Sequence, residues 1–254
     1  MTTSHPTSPV AVITGGARGI GLAIGQWFLA HGHKVVLLDI DKATLDATEQ
    51  QLARPDDVLC LHTDVSQPEQ VQAAAAKVLE RFGRVDALVN NAGVAVFKPA
   101  LETTFQEWRH VLSTNLDGAF LCSQAFGAIM TRQRTGAIVN IAPISGLRAS
   151  TLRVAYGTSK AALIHLTKQH AAEFGNYGVR VNVICPGPVE TRMMRSLEAQ
   201  RNPADPAAMG AAMLDMVAQE WDGAAARRSG GAGCRPASQS RAGRRLPRHL
   251  SHHA

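Results

Sequence analysis

The sequence predicts an α/β protein with one doubly wound parallel sheet, and three observations lead there. Six short apolar runs recur between residues 10 and 184, each followed by a helix-like stretch or a turn leading to one. The runs are apolar throughout instead of alternating, as strands covered on both faces are. The stretches between them, IGLAIGQWFLA and PEQVQAAAAKVLERF among them, carry apolar residues at helical spacing. Parallel strands joined by helices wind right-handedly, and such a sheet takes its ligand beyond the carboxyl ends of its strands.

The first run, VAVIT at 10–14, feeds TGGARGIG at 14–21 and then a helix. Gly15, Gly19 and Gly21 permit a tight turn, a close backbone approach and a helix N-terminus aimed at an anion, which together suit a pyrophosphate. A plain connection is the other reading of a glycine-rich turn. The second run, KVVLLD at 34–39, ends in Asp39, where a carboxylate can accept hydrogen bonds from ribose hydroxyls and repel a 2′-phosphate. Arg18, inside the glycine turn, argues the other way, since a guanidinium can pair with that phosphate. The short carboxylate is harder to move than the long arginine, so NAD is expected in preference to NADP.

DVLCLHT at 57–63 and DALVN at 86–90 follow as the third and fourth strands, and FQEWRHVLSTNLDGAFLCSQAFGAIM at 105–130 reads as one long helix. The fifth strand, GAIVNI at 136–141, runs into APISGLRASTLRVAYGTSK. There Tyr156 and Lys160 stand four apart on a helix and share a face. At about 4.5 Å and an effective dielectric near 20, the ammonium would stabilise a phenolate by about 3 to 4 kcal/mol, enough to lower a pKa near 10 by roughly two to three units. Such a pair is an acid/base usable near neutral pH. VRVNVI at 179–184 is the sixth strand, and after about residue 194 the order fades to one helical candidate, PAAMGAAMLDMVAQEW.

Composition limits the function classes. The chain of 254 residues carries a net charge of +6, yet residues 223–254 hold seven arginines and no acid, leaving 19 basic against 20 acidic residues in 1–222. The basicity therefore belongs to the tail, which lacks apolar periodicity and is expected to be disordered and without a specific nucleic-acid partner. Residues 1–222 are expected to form a single domain. The longest apolar runs are strand-sized and the N-terminus lacks a signal pattern, which argues against a membrane. Cys60, Cys122, Cys185 and Cys234 show no metal or redox spacing and read as reduced thiols of a cytoplasmic protein, and the ten histidines form no metal-ligand pattern.

TGGARGIG, NNAG at 90–93, Asn115 in STNLDGAF, YGTSK and PGPVET at 186–191, in this order, resemble the short-chain dehydrogenase/reductase family over roughly residues 8–195. The resemblance implies a Rossmann-like fold and an NAD(P)-dependent oxidoreductase interconverting a small-molecule secondary alcohol and a ketone. It implies Tyr156 as general acid/base and Lys160 as the residue that binds the nicotinamide ribose and lowers the tyrosine pKa. Asn115 would hold a water in a proton relay. Gly15, Arg18, Gly19, Ile20 and Gly21 would form the phosphate turn, Asp39 would meet the ribose, and Asp64 and Val65 would flank the adenine. Asn90, Ala92 and Gly93 would line the cleft, and Pro186, Gly187, Val189 and Thr191 would cradle the nicotinamide. Each has a plainer reading: Asn115 as a helix-bending residue, Pro186-Gly187 as a turn, Thr191 as a cap.

Two departures stand out. The family pattern has a serine thirteen positions before the tyrosine, and here that position is Pro143, which has neither hydroxyl nor N–H. Ser145 lies two positions on; in an extended chain it would sit about 6.5 Å further along, so it could substitute only if the loop folds back. Loss of that donor would impair catalysis, leaving a cofactor-binding protein as the alternative function, and Pro143→Ser is expected to raise turnover by about ten- to a thousandfold unless Ser145 already serves. The resemblance also implies a further helix and a closing strand that the sequence lacks. The sheet is thus expected to miss its final strand, and the family's dimers or tetramers to be weakened.

Overall fold

The computed structural model describes residues 8–187, together with residue 195. Val189, Thr191, the helical candidate at 206–221 and the boundary expected at 222 lie outside the described residues. All six strands form, within one residue of their sequence bounds at each end: β1 (Val10–Thr14), β2 (Lys34–Asp39), β3 (Val58–His62), β4 (Ala87–Asn90), β5 (Gly136–Ile141) and β6 (Val179–Ile184). They make one parallel sheet in the order β3-β2-β1-β4-β5-β6. Among the described residues there is no seventh strand, and β6 has β5 as its neighbour.

Six α-helices connect the strands: α1 (Gly19–Ala30), α2 (Lys42–Leu52), α3 (Pro68–Phe82), α4 (Phe105–Leu112), α5 (Gly118–Gln133) and α6 (Val154–Phe174). The period of two along each strand sorts the core into two layers. Val10, Val12, Val36, Leu38, Leu88 and Ile138 pack with Val78 and Phe126 on one face. Ala11, Ile13, Val35, Leu37 and Val89 pack with Leu29 and Leu45 on the other. Both layers are buried, which is why these strands read as unbroken apolar runs.

The long helix at 105–130 is two helices joined by a π-helical turn, Ser113–Asp117, across which the Gly118 N–H donates to Ser113 O. A capping box of Thr104 and Glu107 starts α4. The π turn carries Asn115, 1% exposed, toward α6. A π turn leaves one carbonyl outside the regular helical ladder and commonly marks a functional position.

A buried polar chain ties α6 to the sheet. Asn90 Nδ2 donates to Asn140 Oδ1 at 2.8 Å and to Ser123 Oγ at 3.0 Å, and Asn140 Nδ2 donates to Thr167 Oγ1 at 2.9 Å. Asn90 and Asn140 are register partners on β4 and β5, so the chain runs from α5 through two strands into α6. Among the described residues no helix is long and apolar enough to cross a membrane. Cys60 and Cys122 are free thiols, and burial pushes both up to about 12.

Candidate active site

Past the carboxyl ends of the strands lies a cavity of about 650 Å³. It opens where β1 pairs with β2 on one side and β4 on the other, the point at which the strand order reverses. The glycine turn forms one wall. Gly15, at φ +65°, sits against Asn91 and Ala92, and a Cβ on Gly21 would fall 2.1 Å from Gly15 O, so that turn closes only on a glycine. Gly19, at φ +57°, has nothing within 4 Å of where its Cβ would stand. Arg18, the residue before α1, makes no side-chain cap, which leaves the first-turn N–H groups of α1 available to a ligand. Space over a glycine and uncapped N–H groups at a helix start fit a dinucleotide's pyrophosphate.

Asp39 is 8% exposed and faces the cavity. Its Oδ2 accepts from Ala17 N–H and its Oδ1 from Asp41 N–H, each at 3.0 Å, so the carboxylate is fixed with lone pairs to spare. Arg18 is turned toward Asp41, whose Oδ2 accepts from Arg18 Nη1 at 2.5 Å. That guanidinium, with help from Thr44, brings the Asp41 pKa down to about 2. Asp64 and Val65 also line the cavity, and Asp64 Oδ1 accepts from both the N–H and the hydroxyl of Ser66.

Gly15, Arg18, Gly19, Ile20, Ala92, Gly93, Pro186 and Gly187 all line the cavity. Two expected cleft residues do not. Gly21 lies beneath the turn it closes, and Asn90 points into the sheet toward Asn140 and Ser123. The neighbouring Asn91 faces the cavity instead, its Nδ2 donating to Thr14 O at 3.0 Å and Gly15 O at 3.1 Å. Thr14 Oγ1 accepts from the N–H of Asn91 and of Ala92, locking β4's end to the glycine turn. Neither Asn91 nor Thr14 was singled out from sequence, although both sit inside the quoted motifs. Alternation along β4 is the signal that separates Asn91 from Asn90.

Tyr156 and Lys160 stand at the other end of the same cavity, 8% and 3% exposed. Lys160 Nζ donates to Ile141 O at 3.0 Å and lies 6.0 Å from the Tyr156 ring centroid. A Cβ on Gly93 would come within 3.5 Å of Lys160 Nζ and 3.3 Å of Asn115 Oδ1, so these three converge. The sequence argument for a lowered phenol pKa is corrected here. Burial pushes Tyr156 up to about 12 despite the nearby Arg153 guanidinium, and burial brings Lys160 down to about 8. Coulomb attraction by itself favours the phenolate; withdrawal from water acts on both groups and wins.

Asn115 does not line the cavity wall. Its Oδ1 accepts from Val94 N–H at 2.8 Å, and its Nδ2 donates to Val94 O at 2.9 Å and Ser159 Oγ at 3.0 Å. Ser159 Oγ in turn donates to Tyr156 O at 2.7 Å, which links the π turn to the tyrosine's own turn of α6. Both Nδ2 donors of Asn115 are thereby used, and its Oδ1 accepts one bond.

Pro143, at φ −53° and ψ 161°, lines the cavity and interrupts nothing. Ala142 N–H donates to Ile184 O and Ile144 N–H to Pro186 O, each at 3.0 Å, so the proline takes the alternate position whose N–H would point away from β6. Beyond it the loop does fold back. Residues Ile144–Gly146 form a 3₁₀ turn in which Gly146 N–H donates to Pro143 O at 2.8 Å. The chain is therefore not extended after Pro143, and Ser145 also lies against the cavity.

A family model described as short chain dehydrogenase matches residues 9–202. The 2-(R)-hydroxypropyl-CoM dehydrogenase of Xanthobacter autotrophicus is 42% identical over 191 residues, 73% of this chain and 76% of that protein. Galactitol 2-dehydrogenase (L-tagatose-forming) of Cereibacter sphaeroides is 41% identical, covering 72% of each. The crystal structure of NAD+-bound xylitol dehydrogenase superposes with a TM-score of 0.77 at 30% identity, over 84% of this chain and 86% of that one. By sequence and by fold, the chain belongs to the short-chain dehydrogenase family.

Proposed function

We propose that the protein is an NAD(P)-dependent oxidoreductase that interconverts a secondary alcohol and a ketone, with Tyr156 exchanging the proton. The observation that carries this reading is one cavity holding the glycine turn at one end and the Tyr156–Lys160 pair at the other. The names of the two similar dehydrogenases, each with its position-2 carbinol, support the substrate class. A nicotinamide cofactor, when bound, supplies or accepts the hydride. The chain's residues do the rest: α1's first turn binds phosphate, Gly93 leaves room beside Lys160, and the apolar walls exclude water. Tyr156 Oη gives its proton to the substrate oxygen in reduction and takes it back in oxidation. Lys160, close to its pKa of about 8, is suited to pass a proton onward as well as to hold a ribose hydroxyl.

NAD is the favoured cofactor. The anchored Asp39 carboxylate suits ribose hydroxyls, and Arg18, held by Asp41, is occupied where a 2′-phosphate would need it. NADH absorbance over a panel of secondary alcohols and polyols tests the reading. Tyr156→Phe is expected to lose turnover by at least about a hundredfold while NADH still binds; undiminished turnover would remove Tyr156 from the role. Asp39→Ala is expected to narrow the gap between the NADH and NADPH dissociation constants, and an unchanged ratio would take Asp39 out of cofactor choice.

A further inference from the structure

Ser145 is a serine with no hydrogen-bond partner in a place where serines find one. The residue is 9% exposed, and its Oγ is buried and bonded to nothing. Folded proteins rarely leave a buried hydroxyl unpaired, and such an atom commonly marks a group kept for a ligand. Its surroundings name the ligand. Ser145 lies against the cavity that Tyr156, Lys160 and Pro143 also line.

The turn that carries it is pressed onto the catalytic segment of α6. A Cβ on Gly146 would fall 2.9 Å from Lys160 C and 3.0 Å from Lys160 O, so only a glycine allows that approach. Ser145 O lies 3.5 Å from where a Cβ on Gly157 would be, which puts the serine's own backbone beside the residue after Tyr156. At the upstream end, the carbonyl of residue 143 accepts from Gly146 N–H at 2.8 Å, a main-chain contact that does not need the proline ring. Residue 143 thus enters the turn through its main chain, and the turn presents a hydroxyl two residues later.

Resting on the dehydrogenase reading above, we propose that Ser145 donates the hydrogen bond that holds the substrate's reacting oxygen, in the role that position 143 cannot fill. In ketone reduction the hydride goes to the carbonyl carbon and the Tyr156 proton to the oxygen. Ser145 keeps its own proton and steadies the negative charge that grows on that oxygen in between. The hydroxyl turns freely about its Cβ–O bond, so it follows the oxygen through the change from carbonyl to alcohol.

The test compares Ser145→Ala, Pro143→Ser and the double variant on the panel alcohol that turns over fastest, with NADH affinity measured alongside by fluorescence. Ser145→Ala is expected to lose about 10² to 10³ in kcat at unchanged NADH affinity, the loss typical of one such donor. Pro143→Ser alone is expected to change little, and the double variant to regain most of the loss, which separates a missing donor from a misfolded turn. Parental turnover in Ser145→Ala, or a Pro143→Ser enzyme about tenfold or more faster than the parent, would overturn the proposal. Where no alcohol turns over, crystals of the NADH complex soaked in 2-propanol give the answer. Its oxygen should lie within hydrogen-bond reach of both Ser145 Oγ and Tyr156 Oη, and an oxygen elsewhere, or none, refutes the proposal. A parent that fails to bind NADH removes the dehydrogenase reading itself, so the two failures are distinct.

Discussion

At Tyr156 two effects of opposite sign meet. Burial favours the neutral phenol and lifts its pKa to about 12, while the Arg153 guanidinium works to lower it. Arg153 lies over the Phe97 ring at 5.6 Å, and that ring is 6.5 Å from the tyrosine's, so aromatic packing helps hold the guanidinium near the phenol. Alcohol oxidation needs the phenolate to take a proton, so its rate should climb with pH toward the phenol's pKa. Arg153→Leu removes the lowering influence, raises that pKa further and should displace the climb to higher pH. Ketone reduction uses the protonated phenol, present in both proteins at neutral pH, and should keep its pH profile there. Superimposable oxidation profiles for parent and variant would show that Arg153 does not tune the tyrosine. None of this was legible in the sequence, because Tyr-x-x-x-Lys fixes a shared helical face but not the depth of burial or the path of the lysine side chain.

The elements were legible where one physical rule dominates. Strands buried on both faces must be apolar throughout, so KVVLLD and VAVIT announce β2 and β1 by composition alone. The turns that shape the site obey subtler rules. A π turn differs from an α-helix in hydrogen-bond register and not in composition, so within STNLD the only sign was Asn115 read as a helix-bending residue. The Ile144–Gly146 turn likewise follows an ordinary strand end. Two buried polar links join α6 to β5, Asn140 Nδ2 to Thr167 Oγ1 and Lys160 Nζ to Ile141 O. Thr167→Val keeps the shape but leaves Asn140 Nδ2 without that acceptor, and should cost about 1 to 3 kcal/mol of stability. Thr167→Ser should cost much less. Equal urea midpoints for the parent and Thr167→Val would show that the link contributes nothing.

Over the whole molecule, the site gathers three distant stretches: the turn after β1, the end of β4, and the start of α6. Their meeting depends on β1 lying inside the sheet, where Val10 N–H donates to Asp86 Oδ2 and Asp86 N–H to Val10 O across 76 positions of sequence. An inner strand needs a partner on each side, and the ribosome delivers the two at different times. β2 emerges first and β3 pairs onto it, while the opposite edge of β1 stays bare until β4 has been made. At about 5 to 20 residues per second, the nascent half-sheet waits on the order of seconds with a wholly apolar strand uncovered along one edge. That interval is when a second nascent chain can add its own strand there. The strand order that creates the cofactor crevice also makes chain birth the hazardous moment, one that a ribosome-bound chaperone is suited to cover.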